Sequence, residues 1–349
     1  MYTRYPFEYP LIKFSLCTRL RSILTVRNAR ASTLIAGVVT VQLSSQTFLL
    51  QQYRKIRARY DFENNEIPVR KDIQRRFEEA LDDVNVIYRP MVPEERIKFF
   101  NVHDIEMFHA GTTYSKYGGL VGIPTNFEYN DINHVNNGTI SIQSASLQWD
   151  AEATEEFHKS LVLSENAQKF AIARQILTVA TFDSIIKGVN LMVDAILGIG
   201  AYELLRSKLK VTKQQRGKNA LCMSIAAIGA LILTIRTNSE LDYYREIELN
   251  EIMPKLGNEY IQGGLEYYEK LSQKNRALRV LLGHKGTYMY TPVGNQTTWF
   301  IQRKLPISEQ IDYFKKKCKI SKLRFKVETL LMYAIHIIKV ISCNIYQNK

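Results

Sequence analysis

The chain alternates between charged, amphipathic stretches and stretches that carry almost no charge. Ala31 to Tyr53 runs for 23 residues without one ionisable acid or base. About 20 helical residues cross the ~30 Å hydrocarbon core of a bilayer, so residues 31–53 are predicted as a first span. Gln42, Ser44, Ser45 and Gln46 leave that span only moderately apolar. A second apolar stretch covers residues 188–205 and is interrupted by Asp194, and a third covers residues 219–235 between Lys218 and Arg236. The dozen or so basic and polar residues 206–218 between them predict a helical hairpin. Its small residues suit close packing, with Ala226 and Ala230 four apart and Gly198 and Gly200 opposite them. A lone carboxylate in lipid is costly, so Asp194 is expected to make a polar contact inside the helix pair.

The remaining segments read as a water-facing body. In residues 54–187, Ile73, Phe77, Ala80, Leu81 and Val84 fall on one helix face. The run Gly118-Gly-Leu-Val-Gly-Ile-Pro124 and the alternating Thr139–Trp149 read as strands, with Asn137-Gly138 as a hairpin turn. Ser164 is placed as the N-cap of a helix that starts at Glu165. In residues 236–314, Ile261, Leu265, Tyr268 and Leu271 keep helical spacing, and Gly283 closes the stretch that begins at Arg276. Residues 315–349 form a basic and then apolar tail, better suited to an interfacial helix than to a span.

Charge sharpens this picture. The chain has 47 Lys and Arg against 34 Asp and Glu, a net charge of +13. The excess lies beside the uncharged stretches: six basic groups against Glu8 in residues 1–30, and six with no acid in 206–218. That placement points to a membrane surface and away from nucleic acid, for which no aromatic-interleaved basic motif is present. Residues 1–30, rich in Arg and Ser, have the composition of a mitochondrial presequence. By the positive-inside rule the connector lies in the matrix and the bulk of the water-facing chain in the intermembrane space. Arg54, Lys55, Arg57 and Arg59 argue for the opposite orientation. The four cysteines (Cys17, Cys222, Cys318 and Cys343) lie far apart and form no metal or disulfide pattern. No phosphate-binding or dinucleotide-binding glycine motif occurs, and no cofactor is expected.

Four stretches together resemble the transmembrane protein 177 family. The first is Gly119-Leu-Val-Gly122-Ile-Pro124. The second is Leu163-Ser-Glu-Asn-Ala167-Gln168-Lys169-Phe170-Ala-Ile-Ala-Arg174. The third is Gly263-Gly264-Leu-Glu-Tyr-Tyr-Glu269-Lys270-Leu271 with Asn275–Gly283, and the fourth is Tyr290-Thr-Pro292-Val-Gly294-Asn295. The resemblance covers about residues 30 to 306. It implies a multi-pass protein of the mitochondrial inner membrane that binds and stabilises newly made cytochrome c oxidase subunit II, together with the small membrane chaperone of that subunit.

More remotely, the layout is similar to membrane-embedded gluzincin metallopeptidases of the heat-shock-protein-X type, in which a helix carries His-Glu-x-x-His ahead of a membrane hairpin. Here those positions hold Arg174-Gln175-Ile176-Leu177-Thr178, and Glu246 falls where a third ligand would be. Arginine and threonine cannot replace two imidazoles, and a glutamine is no general base. Arg174 and Glu246 are therefore expected to form a structural pair in a protein that is not an enzyme. The alternative is a membrane metallopeptidase with unconventional ligands, or a degenerate relative of one. The expected fold is α+β and mostly helical, a multi-span protein whose transmembrane hairpin is inserted in a gluzincin-like α+β body.

Overall fold

The computed structural model describes residues 37, 39–44, 46–88, 91–135, 151–212, 214–298 and 302–323. The presequence-like segment 1–30, the strand-like stretch Thr139–Trp149 and the end of the tail lie outside the described residues. The chain divides into two compact units: the segment up to Leu43 with Ile186–Ile235, and Ser44–Ile185 with Arg236 onward.

The second unit is a helical body around a small sheet. Its helices are α1 (Leu50–Arg57), α2 (Lys71–Ile87), α3 (Ala151–Leu161), α4 (Glu165–Val179), α7 (Asn258–Leu281), α8 (Gly283–Met289) and α9 (307–323). Two longer helices, α5 (Asp183–Lys208) and α6 (Arg216–Ile252), pass from one unit to the other along the chain. The strands β1 (Ile97–Val102), β2 (Phe108–Gly111) and β3 (Gly119–Pro124) are ordered β1-β3-β2, with β1 parallel and β2 antiparallel to β3. All six residues of β3 are buried, which explains its continuous apolar run. Gly122 lets the strand pass between neighbours, since a Cβ there would lie 2.5 Å from Val102 Cγ1 and 2.9 Å from Phe108 Cβ.

Helix α4 is the axis of the body. Ser164 caps it by accepting the Ala167 N–H at 3.3 Å, which satisfies one of the donors a helix start leaves open. Ala167, Phe170, Ile172, Ala173 and Ile176 are buried on several faces, because α2 and α7 pack on it together with β2 and β3. The buried face of α2 carries Ile73, Phe77, Ala80, Leu81 and Val84, as its spacing predicts, and also Arg76. Helix α7 runs unbroken to Leu281, and Gly283 beyond it has φ +54°. Helix α9 crosses the expected boundary at residue 315, and its Phe314 packs edge-on against Phe170 at 5.3 Å.

The first unit holds the apolar parts of α5 and α6. The helices are longer than the uncharged stretches 188–205 and 219–235. Gly198 faces Ala230, where an added Cβ would sit 2.9 Å from that of Ala230, whereas Gly200 faces open space. Asp194 is buried and engaged in the fold. Only 11% of the most apolar window of each helix is buried within the chain. Val189, Met192 and Leu197 on α5, and Leu221, Ile228 and Leu231 on α6, are exposed. A core helix of a water-soluble protein would hide such residues. Within 31–53 the helix over 39–44 gives way to turn at 46–49 before α1 begins at Leu50. The single helix expected there is interrupted.

Candidate functional site

Arg174 lies on the face of α4 turned toward α6 and α7. Its side chain is 12% exposed and its Nη2 donates to Glu246 Oε2 on α6. The guanidinium also lies 5.9 Å from the centroid of the Tyr268 ring, within the range of a cation–π contact. Burial alone would lower the arginine's pKa, but the phenols of Tyr268 and Tyr267 and the Glu246 carboxylate outweigh it and hold it above the ordinary value. Burial pushes the Tyr268 phenol up, so it stays protonated. Its hydroxyl donates to Asn250 Oδ1 at 3.2 Å, and Asn250 Nδ2 donates to Gln310 Oε1 at 3.4 Å.

Thr178 Oγ1 donates to the Arg174 carbonyl at 2.8 Å, tying its hydroxyl back to the helix. Gln175 lines a cavity of about 160 Å³ with Pro124, Phe127, Lys270 and Lys274. A larger cavity of about 600 Å³ is lined by Arg174, Glu246, His109, Asp242, Tyr243 and Arg303. Glu106, Leu271 and Gln296 line both. Lys274 Nζ, 2.7 Å from Glu106 Oε1, holds that carboxyl below the usual range. An arginine cannot accept a proton at neutral pH, and the Thr178 hydroxyl is engaged with the Arg174 carbonyl. The arrangement is suited to holding two helices in register. Among the described residues no group of three or more His, Cys, Asp or Glu is placed to hold a metal ion.

The other motif positions knit this face together. Gln168 accepts from Arg76 Nη1 at 2.8 Å and donates to the Phe127 and Leu163 carbonyls, both at 3.3 Å. Lys169 reaches Glu79, Asp83 and Glu259 at 3.3–3.5 Å. Phe170 is fully buried, Glu269 pairs with Lys315 at 3.5 Å, and Lys270 Nζ donates to the Lys159 carbonyl at 2.6 Å. Gly119 lies against Val179, whereas Gly263 and Gly264 lie where α7 crosses α4. Tyr290 and Gln296 close a turn through Pro292 and Gly294, whose φ is +83°. Asn275 Nδ2 donates to the Gly294 carbonyl at 2.8 Å, while Asn295 exchanges two 3.0 Å bonds with Ser308. Sequence reading overlooked Arg76, Glu106, Lys274 and Arg303. Only Arg76 left a signal, as a charge three residues after Ile73 on an otherwise apolar face.

Two helices are long and apolar enough to cross a membrane and carry exposed apolar flanks, as in a transmembrane protein. A family model described as Transmembrane protein 177 matches residues 116–305, and the chain belongs to that family. Curated relatives named Transmembrane protein 177 include that of Danio rerio, 26% identical over 74% of this chain and 82% of its own length. The Homo sapiens protein is 29% identical over 65% of this chain and 71% of its own, and the Mus musculus protein 27% over 84% and 93%. No solved structure matches the chain.

Proposed function

We propose that this chain is a non-enzymatic assembly factor of the mitochondrial inner membrane. Its clients are newly made cytochrome c oxidase subunit II and the small membrane chaperone of that subunit. The observation that carries the reading is the Arg174–Glu246 pair. On the remote likeness to the gluzincin layout both residues take the place of zinc ligands, and both are engaged in an ion pair beside Tyr268. The client assignment is what the resemblance to the transmembrane protein 177 family implies, and the exposed apolar flanks of α5 and α6 offer a surface for a client's own spans. The hairpin enters the membrane from a body related to the gluzincin layout, with the connector in the matrix and most of the body in the intermembrane space.

Pull-down of the tagged protein in mild detergent after pulse labelling should recover subunit II as a labelled band. A labelled eluate without that band would overturn the client assignment, and stoichiometric zinc binding that disappears in Glu246→Ala would favour a metallopeptidase. The membrane assignment is checked independently. Carbonate-washed mitochondria should keep the protein in the pellet, because two inserted apolar helices bind lipid almost irreversibly. Recovery in the carbonate-soluble fraction would contradict it.

A further inference from the structure

Helix α5 begins at Asp183 and its uncharged stretch at Gly188, so in a span Phe182 lies about one and a half helical turns before the apolar stretch, at the level of the membrane–water boundary. Phe182 is 47% exposed, yet one face of its ring is covered by Tyr114, with centroids 3.7 Å apart and planes at 20°. Tyr114 belongs to the loop 112–118 that joins β2 to β3. That loop is fastened to the end of α4 and the start of α5. The Thr113 N–H donates to the Val179 carbonyl at 2.9 Å, and Thr112 Oγ1 donates to the Thr181 carbonyl at 2.7 Å. On its other side Tyr117 meets Phe48 edge-on at 6.5 Å. Gln46, two residues before Phe48, takes the Gly111 N–H at 2.9 Å.

Four aromatic rings from three separate stretches of chain are therefore gathered beside the entry of α5, and all of them stay exposed. Phe48 is 56% exposed, Tyr114 37% and Tyr117 43%. Lys116 is exposed between the two tyrosines, its Nζ 5.1 Å from the Tyr117 ring. Tyrosine, with an apolar ring and a polar tip, concentrates at the headgroup level of bilayers, the two phenylalanines add apolar area beside Tyr114 and Tyr117, and a lysine beside them attracts anionic lipid.

We infer that loop 112–118, with Phe48 and Phe182, is a peripheral membrane anchor that seats in the lipid headgroup layer beside the entry of α5. Loop 112–118 itself lies outside all the uncharged stretches, whereas Phe48 comes from the stretch 31–53, and the anchor fixes how deeply the loop sits against the bilayer. The inference rests on α5 being a span, and the test separates the two.

The full chain, with Trp149→Phe and Trp299→Phe removing its native indoles, is reconstituted in phosphatidylcholine vesicles with and without bromine on the acyl chains near the headgroup. A Tyr117→Trp reporter should be quenched by the brominated lipid, since indoles at the interface lie at headgroup level. A Met192→Trp reporter inside α5 should also be quenched, and a Tyr288→Trp reporter on α8 should not. Quenching at 192 with none at 117 would overturn the anchor and leave the span standing. No quenching at either would overturn both. If the reporters fail to fold, the unaltered protein can be labelled with a lipid carrying a photoactivatable headgroup. Adducts on residues 112–118 are expected, and adducts confined to other segments would overturn the anchor.

Discussion

A Gly263→Ala protein is expected to be the least stable of the glycine variants in the helices. Gly263 lies where α7 crosses α4, and a Cβ there would run into the backbone carbonyl of Asn166 and come within 3.0 Å of the Ala167 nitrogen. Both obstacles are main chain within a capped helix, so neither can rotate aside. Overpacking against yielding side chains costs about 1–3 kcal/mol, and a backbone-to-backbone clash belongs at or above the top of that range. For a body of this size, that corresponds to a fall in midpoint of roughly 6–12 °C. Gly264→Ala should be milder, because its obstacles at 2.7 Å are the edges of the Phe170 and Phe314 rings. Gly229→Ala meets nothing within 4 Å and should be neutral or slightly stabilising, since a mid-helix glycine costs roughly 0.5–1 kcal/mol relative to alanine. Thermal unfolding in mild detergent, read by intrinsic fluorescence, ranks the three.

The second large effect concerns the buried ion pair, and it should be unequal on its two sides. Glu246→Ala leaves a guanidinium that is 12% exposed without its carboxylate partner, whereas Arg174→Ala leaves a carboxylate that is 34% exposed and can hydrate. Breaking a buried pair on one side costs ~3–5 kcal/mol, and Glu246→Ala should fall in that range. Arg174→Ala should cost less, about 1–3 kcal/mol, partly through lost packing on Tyr268. Replacing both partners with apolar residues of similar size removes the stranded charge, and such exchanges are often neutral. The double variant Arg174→Met, Glu246→Leu should therefore recover most of the stability lost in Glu246→Ala. Equal losses in both single variants, with no recovery in the double, would refute this account of the pair.

Much of this architecture was legible in the chain because each element carried a physical signature that neighbours did not override. Missing charge marked α5 and α6, a 3.6-residue period marked α2, and Ser164 marked the start of α4. The helix ends were not legible. The uncharged stretch of α6 stops at Ile235, but the helix continues to Ile252 because its charged second half is met by partners from elsewhere. Arg245 pairs with Asp183, Glu246 with Arg174, and Glu240 with Arg303 at 3.3 Å. Local composition cannot report such partners. The break in 31–53 has the same origin, since Gln46, which looked like a blemish in a span, serves the backbone of Gly111. The cavities were also out of reach, because Glu106 and Lys274 are 168 residues apart.

The central claim is that the Arg174 face holds the protein together and performs no chemistry. It is tested most directly by client recovery normalised to protein abundance in mitochondria that carry the Arg174→Met, Glu246→Leu double variant. The account predicts that newly made subunit II is recovered per molecule of the variant as efficiently as with the unaltered protein. Normal abundance with client recovery lost would show that the charged pair belongs to a working site, and would contradict the account.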